Sequence, residues 1–275
     1  MKYSTILGAF ALSACGLIDD DKMVSDPVVV QTAGLASAVV GEVPADVTMT
    51  YDEVADTITV AGSAGTVVLN PTGVINGFQF YQGYSGAWTN GVRRETNSGG
   101  GVVTLVTSPD FTSIVPNTIF DMINGSVERT SDTTLPSADT ADYAGDYVAI
   151  YTVSGRDYSP MYGDANFAAN FGEGTMSGSI TNRGFEYIGG IDIDDITLEA
   201  AQIEDGVFSG VASGGAINTT FSSAQAGTVT GGEYTGMVVG PNGEELVGAV
   251  KLDHLTTGNA EYTEIGGFVA DLIED

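Results

Sequence analysis

The chain has 275 residues, and eight Lys plus Arg against 36 Asp plus Glu give it a formal net charge of −28. Nucleic-acid binding depends on clustered Lys and Arg that contact phosphates, so this composition excludes a nucleic-acid-binding protein. With 38 Gly and many strand-favouring Thr and Val, the composition predicts an all-β fold.

Residues 1–14 have the features of a secretory signal peptide. Lys2 gives a basic start, an apolar run follows over 6–12, and the sequence Leu-Ser-Ala then leads to Cys15, the only cysteine. This ending is typical of a lipobox, whereas a bilayer-spanning helix needs about 20 apolar residues. We therefore predict cleavage before Cys15 and acylation of Cys15, with palmitate among its lipids. The alternative is an ordinary signal peptide with a chance cysteine.

Residues 15–28 are expected to form a flexible tether between the lipid and the first packed element. Asp19, Asp20 and Asp21 follow Ile18, and few apolar residues come after them. Such a segment cannot bury enough apolar surface to fold alone.

Residues 29–128 are predicted to form a β-rich domain. Val47, Met49 and Tyr51 alternate with threonines, a polar turn follows over 52–56, and the alternation resumes at Ile58, which indicates a hairpin. Turn dipeptides separate further strand candidates at 66–69, 77–81 and 101–107. A short helix is expected only within 108–123.

Residues 129–140 are polar, contain Pro136 and are predicted to be a linker, and residues 141–275 are predicted to form a second domain. Over 147–153 the chain is apolar on both faces of a strand, and alternating segments separated by glycine-containing turns follow it. About eight antiparallel strands are expected, a number that suits a small closed β-barrel without open edges.

Several motifs in this second domain resemble a family of surface lipoproteins. The sequences ADYAG (141–145), NFAANFG (166–172), GTMSG (174–178), EYTG (233–236) and GGF (266–268) resemble the barrel of transferrin-binding protein B-like lipoproteins. The resemblance implies an eight-stranded, lipocalin-like barrel preceded by a β "handle" domain, on a lipoprotein of the outer membrane. Members of that family capture host iron proteins, complement regulators or haem-type ligands. Asn170, Tyr234, Val238 and Val247 depart from the family pattern at core and bend positions.

The sequence predicts neither a catalytic site nor a metal site or cofactor. His254 is the only histidine, is expected in a solvated loop beside Asp253, and has no second histidine with which to bind zinc. Asp192 and Asp194 could supply oxygen ligands to Ca²⁺, but they alternate with isoleucines as the solvated face of a strand does.

The segment from Ser154 to Gly163 is a candidate contact loop, because it is expected to join two barrel strands with about ten residues. It carries Arg156, Tyr158, Met161 and Tyr162, and Tyr and Arg are common at the centres of protein interfaces. In the alternative interpretation, the two tyrosines fold back as a lid over the barrel rim. A second aromatic run, 78–88, could share the contact surface or belong to the core of the handle.

These observations favour a non-enzymatic binding module that is lipid-anchored in the outer membrane and faces the periplasm or the exterior. Its ligand is expected to be a protein or an iron- or haem-related molecule at the cell surface. Two alternatives remain open: a lipocalin-like carrier of a small ligand, which predicts a hollow apolar barrel, and a structural envelope lipoprotein.

Overall fold

A computed structural model describes residues 32–274, with gaps at 43–45, 63–64, 85–87, 109–121, 137–139, 154–158, 188, 190, 219–226 and 257–260. The predicted signal peptide, Cys15 and the predicted tether lie outside the described residues, as does most of the segment in which a helix is expected. In the described part of the chain, no helix is long and apolar enough to cross a membrane.

All regular secondary structure in the described ranges is β, as the composition predicts. The strands are β1 (Thr32–Ala33), β2 (Ala36–Glu42), β3 (Thr48–Asp52), β4 (Thr57–Gly62), β5 (Gly65–Ile75), β6 (Phe78–Tyr84), β7 (Trp88–Glu95), β8 (Gly101–Ser108), β9 (Met122–Arg129), β10 (Thr133–Thr134), β11 (Thr140–Val153), β12 (Ser159–Asn170), β13 (Thr175–Phe185), β14 (Asp192–Ile193), β15 (Ile196–Glu204), β16 (Val207–Gly214), β17 (Ile217–Asn218), β18 (Gly227–Val239), β19 (Glu245–Thr256) and β20 (Glu261–Leu272).

The first large sheet, which we call the handle sheet, has eight antiparallel strands in the order β2-β9-β8-β7-β6-β5-β4-β3. The predicted hairpin is present, with Tyr51 opposite Ile58 and the turn at 53–56 between the strands. Asp56 has a positive φ of 50°, a conformation that Asp adopts more readily than most residues. The strand order leaves β2 and β3 at the two open edges of this sheet.

The second large sheet closes into the predicted eight-stranded antiparallel barrel. Its strands follow the order β18-β16-β15-β13-β12-β11-β20-β19, and pairing between β18 and β19 closes the ring. The two-residue strands β14 and β17 extend it at one end. The fold class is therefore confirmed, whereas the domain boundaries predicted above remain a prediction.

Aromatic rings fill the middle of the barrel, and glycines on neighbouring strands make room for them. The ring centroids of Phe167 and Phe268 lie 4.5 Å apart, and those of Phe167 and Phe208 lie 6.2 Å apart. A Cβ on Gly178 would come within 2.6 Å of Phe167 Cδ1, and one on Gly248 would overlap Cζ of Phe268. The described middle of the barrel is thus packed with side chains.

The handle sheet packs against the outer wall of the barrel. In β11, Tyr147 and Ala149 face the lumen, while Val148 and Ile150 join a buried cluster with Phe78 and other residues of the handle sheet. The apolar character of both faces of this strand, visible in the sequence, follows from this arrangement. Leu135 of the predicted linker is 7% exposed and packs with the barrel core.

Candidate functional site

A buried ionic cluster lies inside the barrel, near the end where β11 finishes and β20 begins. Arg183 of β13 and Glu264 of β20 form an ion pair of 2.6 Å, and the side chains of both are completely buried. Tyr147 of β11 donates a hydrogen bond of 2.7 Å to the same carboxylate. The other terminal nitrogen of Arg183, Nη1, donates to the carbonyls of Asp194 and Gly215, so one arginine links β13 and β20 with the β14–β15 and β16–β17 connections.

A β-bulge directs Arg183 into the barrel. Along β13, Met176 and Ile180 face the lumen, and strict alternation would place Asn182 next on that face. The pairing with β12 shifts its register between Tyr162 and Asp164, and Asn182 opposite the shift has a positive φ of 51°. The extra residue turns Asn182 outward and Arg183 inward, which is a known effect of bulges.

The protonation of the cluster follows from its contacts. Burial by itself would raise the pKa of Glu264, but the charge of Arg183, with His254 and the Tyr147 hydroxyl, lowers that pKa to about 2. Burial and the negative charge of Glu264 raise the pKa of Tyr147 well above its ordinary value. Glu264 is therefore ionised and Tyr147 neutral at physiological pH.

The structure corrects the expectation for His254. This residue is 1% exposed and lies in β19, not in a solvated loop, because it continues the inward-facing series of Val250 and Leu252. Its Nε2 lies 3.4 Å from Glu264, and its ring packs edge-on against Tyr151 at 5.5 Å. The side chains of His254, Arg183 and Glu264 are all completely buried.

The cluster shows which buried residues the sequence reasoning missed. Glu264 lies in β20 between Tyr262 and Gly266, on the face that points into the barrel. The sequence did contain one signal for this cluster, a carboxylate at an inward-facing position of a barrel strand. A buried charge almost always has a charged partner, so Glu264 predicts a buried cation nearby. Its partner Arg183 gave no such signal, because the bulge that directs it inward cannot be inferred from the alternation.

The predicted contact loop is shorter than expected. Strand β12 begins at Ser159, so only residues 154–158 separate it from β11, and Arg156 and Tyr158 lie outside the described residues. Met161 is completely buried because its side chain faces the barrel core, which corrects its placement in an exposed loop. Tyr162 is 38% exposed on the opposite face of β12, where its ring covers Gly184. The contact role of this segment remains a prediction.

The second aromatic run divides between core and surface. Phe78, Phe80 and Tyr81 are buried, whereas Tyr84 is 64% and Trp88 49% exposed. Tyr84 and Trp88 are opposite each other in β6 and β7, with ring centroids 5.3 Å apart in an edge-on arrangement.

Val68 extends this exposed pair onto a third strand. Asn70 of β5 pairs with Gln82 of β6, so strand alternation puts the exposed Val68 on the same face as Tyr84. We call Val68, Tyr84 and Trp88 the aromatic surface. It continues the face of the handle sheet whose Phe78 and Phe80 pack against the barrel.

Clefts outside the barrel include two that described residues line. One, of about 900 Å³, lies between the start of β2 and the barrel strands β15 and β16. The other, of about 520 Å³, lies on the handle sheet, where the guanidinium of Arg93 stands 3.9 Å above the ring of Tyr51. In the described ranges, no group of three or more His, Cys, Asp or Glu side chains is arranged to hold a metal ion.

Comparison with known proteins finds likenesses among solved structures only. No protein-family profile matches the chain, and no curated protein sequence matches it. A transferrin-binding protein B variant from Haemophilus parasuis is similar over 88% of this chain and 46% of its own, with 13% identity and a TM-score of 0.48. Transferrin-binding protein B from Neisseria meningitidis is similar over 87% of this chain and 44% of its own, with 15% identity and a TM-score of 0.41.

A third solved structure, described as a surface lipoprotein, is similar over 90% of this chain and all of its own, with 10% identity and a TM-score of 0.37. The chain spans less than half of the length of the two transferrin-binding proteins B. These structure neighbours include the kind of protein that the sequence motifs resemble.

Proposed function

We propose that the chain is a non-enzymatic binding module, anchored in the outer membrane through a lipid on Cys15, and that it captures a protein partner at the cell surface. Residues 15–28 serve as the tether, 29–128 as the handle and 141–275 as the barrel. The Leu-Ser-Ala-Cys sequence supports the anchor, and the two packed sheets support a rigid scaffold for binding.

The observation that carries the binding role is the aromatic surface of Val68, Tyr84 and Trp88. Trp and Tyr are enriched among the residues that dominate interface energies, because each buries a large area and keeps a polar group for hydrogen bonding. Trp88 is the only tryptophan, and it is exposed beside an exposed tyrosine instead of filling the core. Tyr84 ends β6, Trp88 begins β7, and both are exposed, so a large partner can reach them.

A protein partner is favoured over a small ligand in the barrel by the packing of the barrel itself. A carrier of the lipocalin type needs a hollow lumen and an open mouth. Here the rings of Phe167, Phe208 and Phe268 occupy the middle of the lumen, and the Arg183–Glu264 pair lies between them and one end. The Arg183–Glu264 pair also does not support an enzymatic role, because both side chains are completely buried.

Photocrosslinking in living cells tests the proposal. Benzoylphenylalanine replaces Tyr84 in one strain and Val54, which is fully exposed in the β3–β4 turn, in a control strain. We expect irradiation to give a discrete protein adduct from position 84 and none from position 54. Absence of any adduct specific to position 84, with normal amounts of the variant at the surface, would refute capture through the aromatic surface.

A further inference from the structure

The outer edge of β2 is open for hydrogen bonding. Antiparallel strands direct the N–H and C=O groups of alternate residues to the same side. The amide of Gly41 donates to Oε1 of Glu233 at 3.1 Å, so it points away from the neighbouring β9. The register of β2 with β9 is continuous, so the backbone groups of Ser37 and Val39 point outward as well. None of the described residues pairs with these outward groups.

The outer face of barrel strand β16 lies along this edge. Ser209 lines the cleft of about 900 Å³ together with Ala36, at the start of β2. Near the end of β2, Val211 of β16 is opposite Glu233 of β18, and the carboxylate of Glu233 accepts the hydrogen bond from the amide of Gly41. Strand β16 from Val207 to Val211 therefore runs beside β2 from Ala36 to Gly41, over roughly 16 Å at about 3.3 Å per residue.

This corner carries exposed apolar side chains and is acidic at both ends. Leu35 lines the cleft and is 72% exposed, and Val211 is 53% exposed on the outer face of β16. Glu204 and Asp205 line the cleft, and Glu233 stands at the opposite end. Two described cations lie near these carboxylates. Arg129 is 3% exposed, and its guanidinium donates to the carbonyls of Gly34, Asp205 and Val238. Lys251 lies opposite Glu233 in β19 and forms an ion pair of 2.9 Å with Asp253. We call this corner the β2 groove, formed by the edge of Ser37 and Val39, the outer face of Val207–Val211, and the carboxylates of Glu204 and Asp205.

We propose that the β2 groove binds an extended segment of a partner protein by strand addition, and that this segment carries Lys or Arg among alternating apolar residues. The outward N–H and C=O groups of Ser37 and Val39 supply the backbone hydrogen bonds, as edge strands do in other peptide-binding proteins. Alternate side chains of the segment pack onto Val207 and Val211, and its basic side chains face Glu204 and Asp205.

The basic character of the segment follows from charge. A chain with a net charge of −28 attracts cationic segments and repels anionic ones at long range. The groove is separate from the aromatic surface on β5–β7, so replacing Tyr84 and Trp88 leaves it intact, and each proposal can fail without the other.

Peptide binding to the lipid-free chain that starts at Gly16 tests this proposal. The probe is a fluorescent, end-capped heptapeptide of alternating Lys and Val, and the comparison peptide has Glu in place of Lys. We expect saturable binding of the Lys peptide that weakens with salt, and at least tenfold weaker binding of the Glu peptide. Val39→Pro removes an outward N–H that β9 does not use, a position where edge strands tolerate proline. It should weaken binding at least tenfold.

Charge variants and hydrogen exchange complete the test. The double variant Glu204→Lys and Asp205→Lys should weaken binding at least tenfold, while Glu53→Lys with Glu261→Lys, exposed sites away from the groove, should leave binding unchanged. Should Val39→Pro fail to fold, the amide of Val39 in the unaltered chain must exchange more slowly once the peptide is added.

Three results would overturn the proposal. The first is equal binding of the Lys and Glu peptides, and the second is full binding by a folded Val39→Pro variant. The third is binding that appears only after residues 16–31 are removed, which would assign the open edge to the chain's own N-terminal segment.

Discussion

The carboxylate of Glu264 accepts hydrogen bonds of 2.7 and 2.6 Å from Nη2 of Arg183, and both side chains are completely buried in the barrel. The two residues come from β13 and β20, which lie three places apart in the ring of strands. The pair therefore ties together strands that are not hydrogen-bonded neighbours.

Removing either charge alone should destabilise the protein strongly. Glu264→Gln or Arg183→Met leaves the other charge buried without its partner, a change that costs about 3–5 kcal/mol. The double variant Arg183→Met with Glu264→Leu removes both charges and should be clearly more stable than either single variant. Urea unfolding followed by circular dichroism measures the three free energies, and additive losses in the double variant would contradict the pairing.

The same pair predicts how stability depends on acid. Because the folded-state pKa of Glu264 is about 2 and its ordinary value is 4.5, the unfolded chain binds more protons between these values. The contribution of Glu264 to the free energy of unfolding is complete above about pH 4.5 and falls as the pH drops toward 2. Other carboxylates also titrate there, so the observable is the free energy of unfolding of the unaltered chain minus that of the double Met–Leu variant. This quantity should fall as the pH drops from 4.5 toward 2.

Glycine at position 248 should be essential for packing in the barrel. A Cβ there would overlap Cζ of Phe268 and crowd the carbonyl of Thr235, so Gly248→Ala should cost about 1–3 kcal/mol through overpacking. Gly73→Ala is the matched control, because a Cβ at that exposed position meets nothing within 4 Å. Adding Phe268→Leu to Gly248→Ala should restore part of the loss, and equal melting temperatures for the two alanine variants would refute this packing.

Met161 and the tyrosines of the predicted contact loop should respond differently to substitution. Met161→Ser puts a small polar group in the barrel core and should cost about 2–5 kcal/mol. Tyr158→Ser with Tyr162→Ser should keep the melting temperature within a few degrees and reduce retention of a partner identified by crosslinking. A large loss of melting temperature in the double tyrosine variant would favour the lid over the contact loop.

Anchoring depends on a single thiol in the predicted lipobox. Cys15→Ala should prevent lipidation and leave the protein unprocessed or released from the membrane fraction. Cell fractionation and metabolic labelling with a palmitate analogue measure both effects. The control is Ser13→Ala, which leaves small residues at both positions before the cysteine. A processed Cys15→Ala protein that still fractionates with the outer membrane would disprove lipid anchoring.

Local patterns in the sequence predicted the fold class because they depend on neighbouring residues alone. The alternation at Val47, Met49 and Tyr51 predicted the hairpin that the structure contains. The alternating segments after residue 153 predicted strands, and Ala165, Phe167 and Ala169 of one such strand face the lumen. In β11 both faces are apolar because one faces the lumen and the other the handle sheet. A period of two residues is a property of any strand, so it can be recognised before the partner strands are known.

The tertiary structure decided which of these residues lie buried and which are accessible. Met161 and Tyr162 are adjacent candidates of the predicted contact loop, but they lie on opposite faces of β12, so Met161 is in the core and Tyr162 is on the surface. His254 lies inside the barrel because strand β19 continues through it to Thr256. Arg183 lies inside because the bulge in β13 turns its side chain inward. A bulge shifts the facing of all later residues by one position, and burial depends on what packs across the sheet, so neither can be inferred from alternation along one strand.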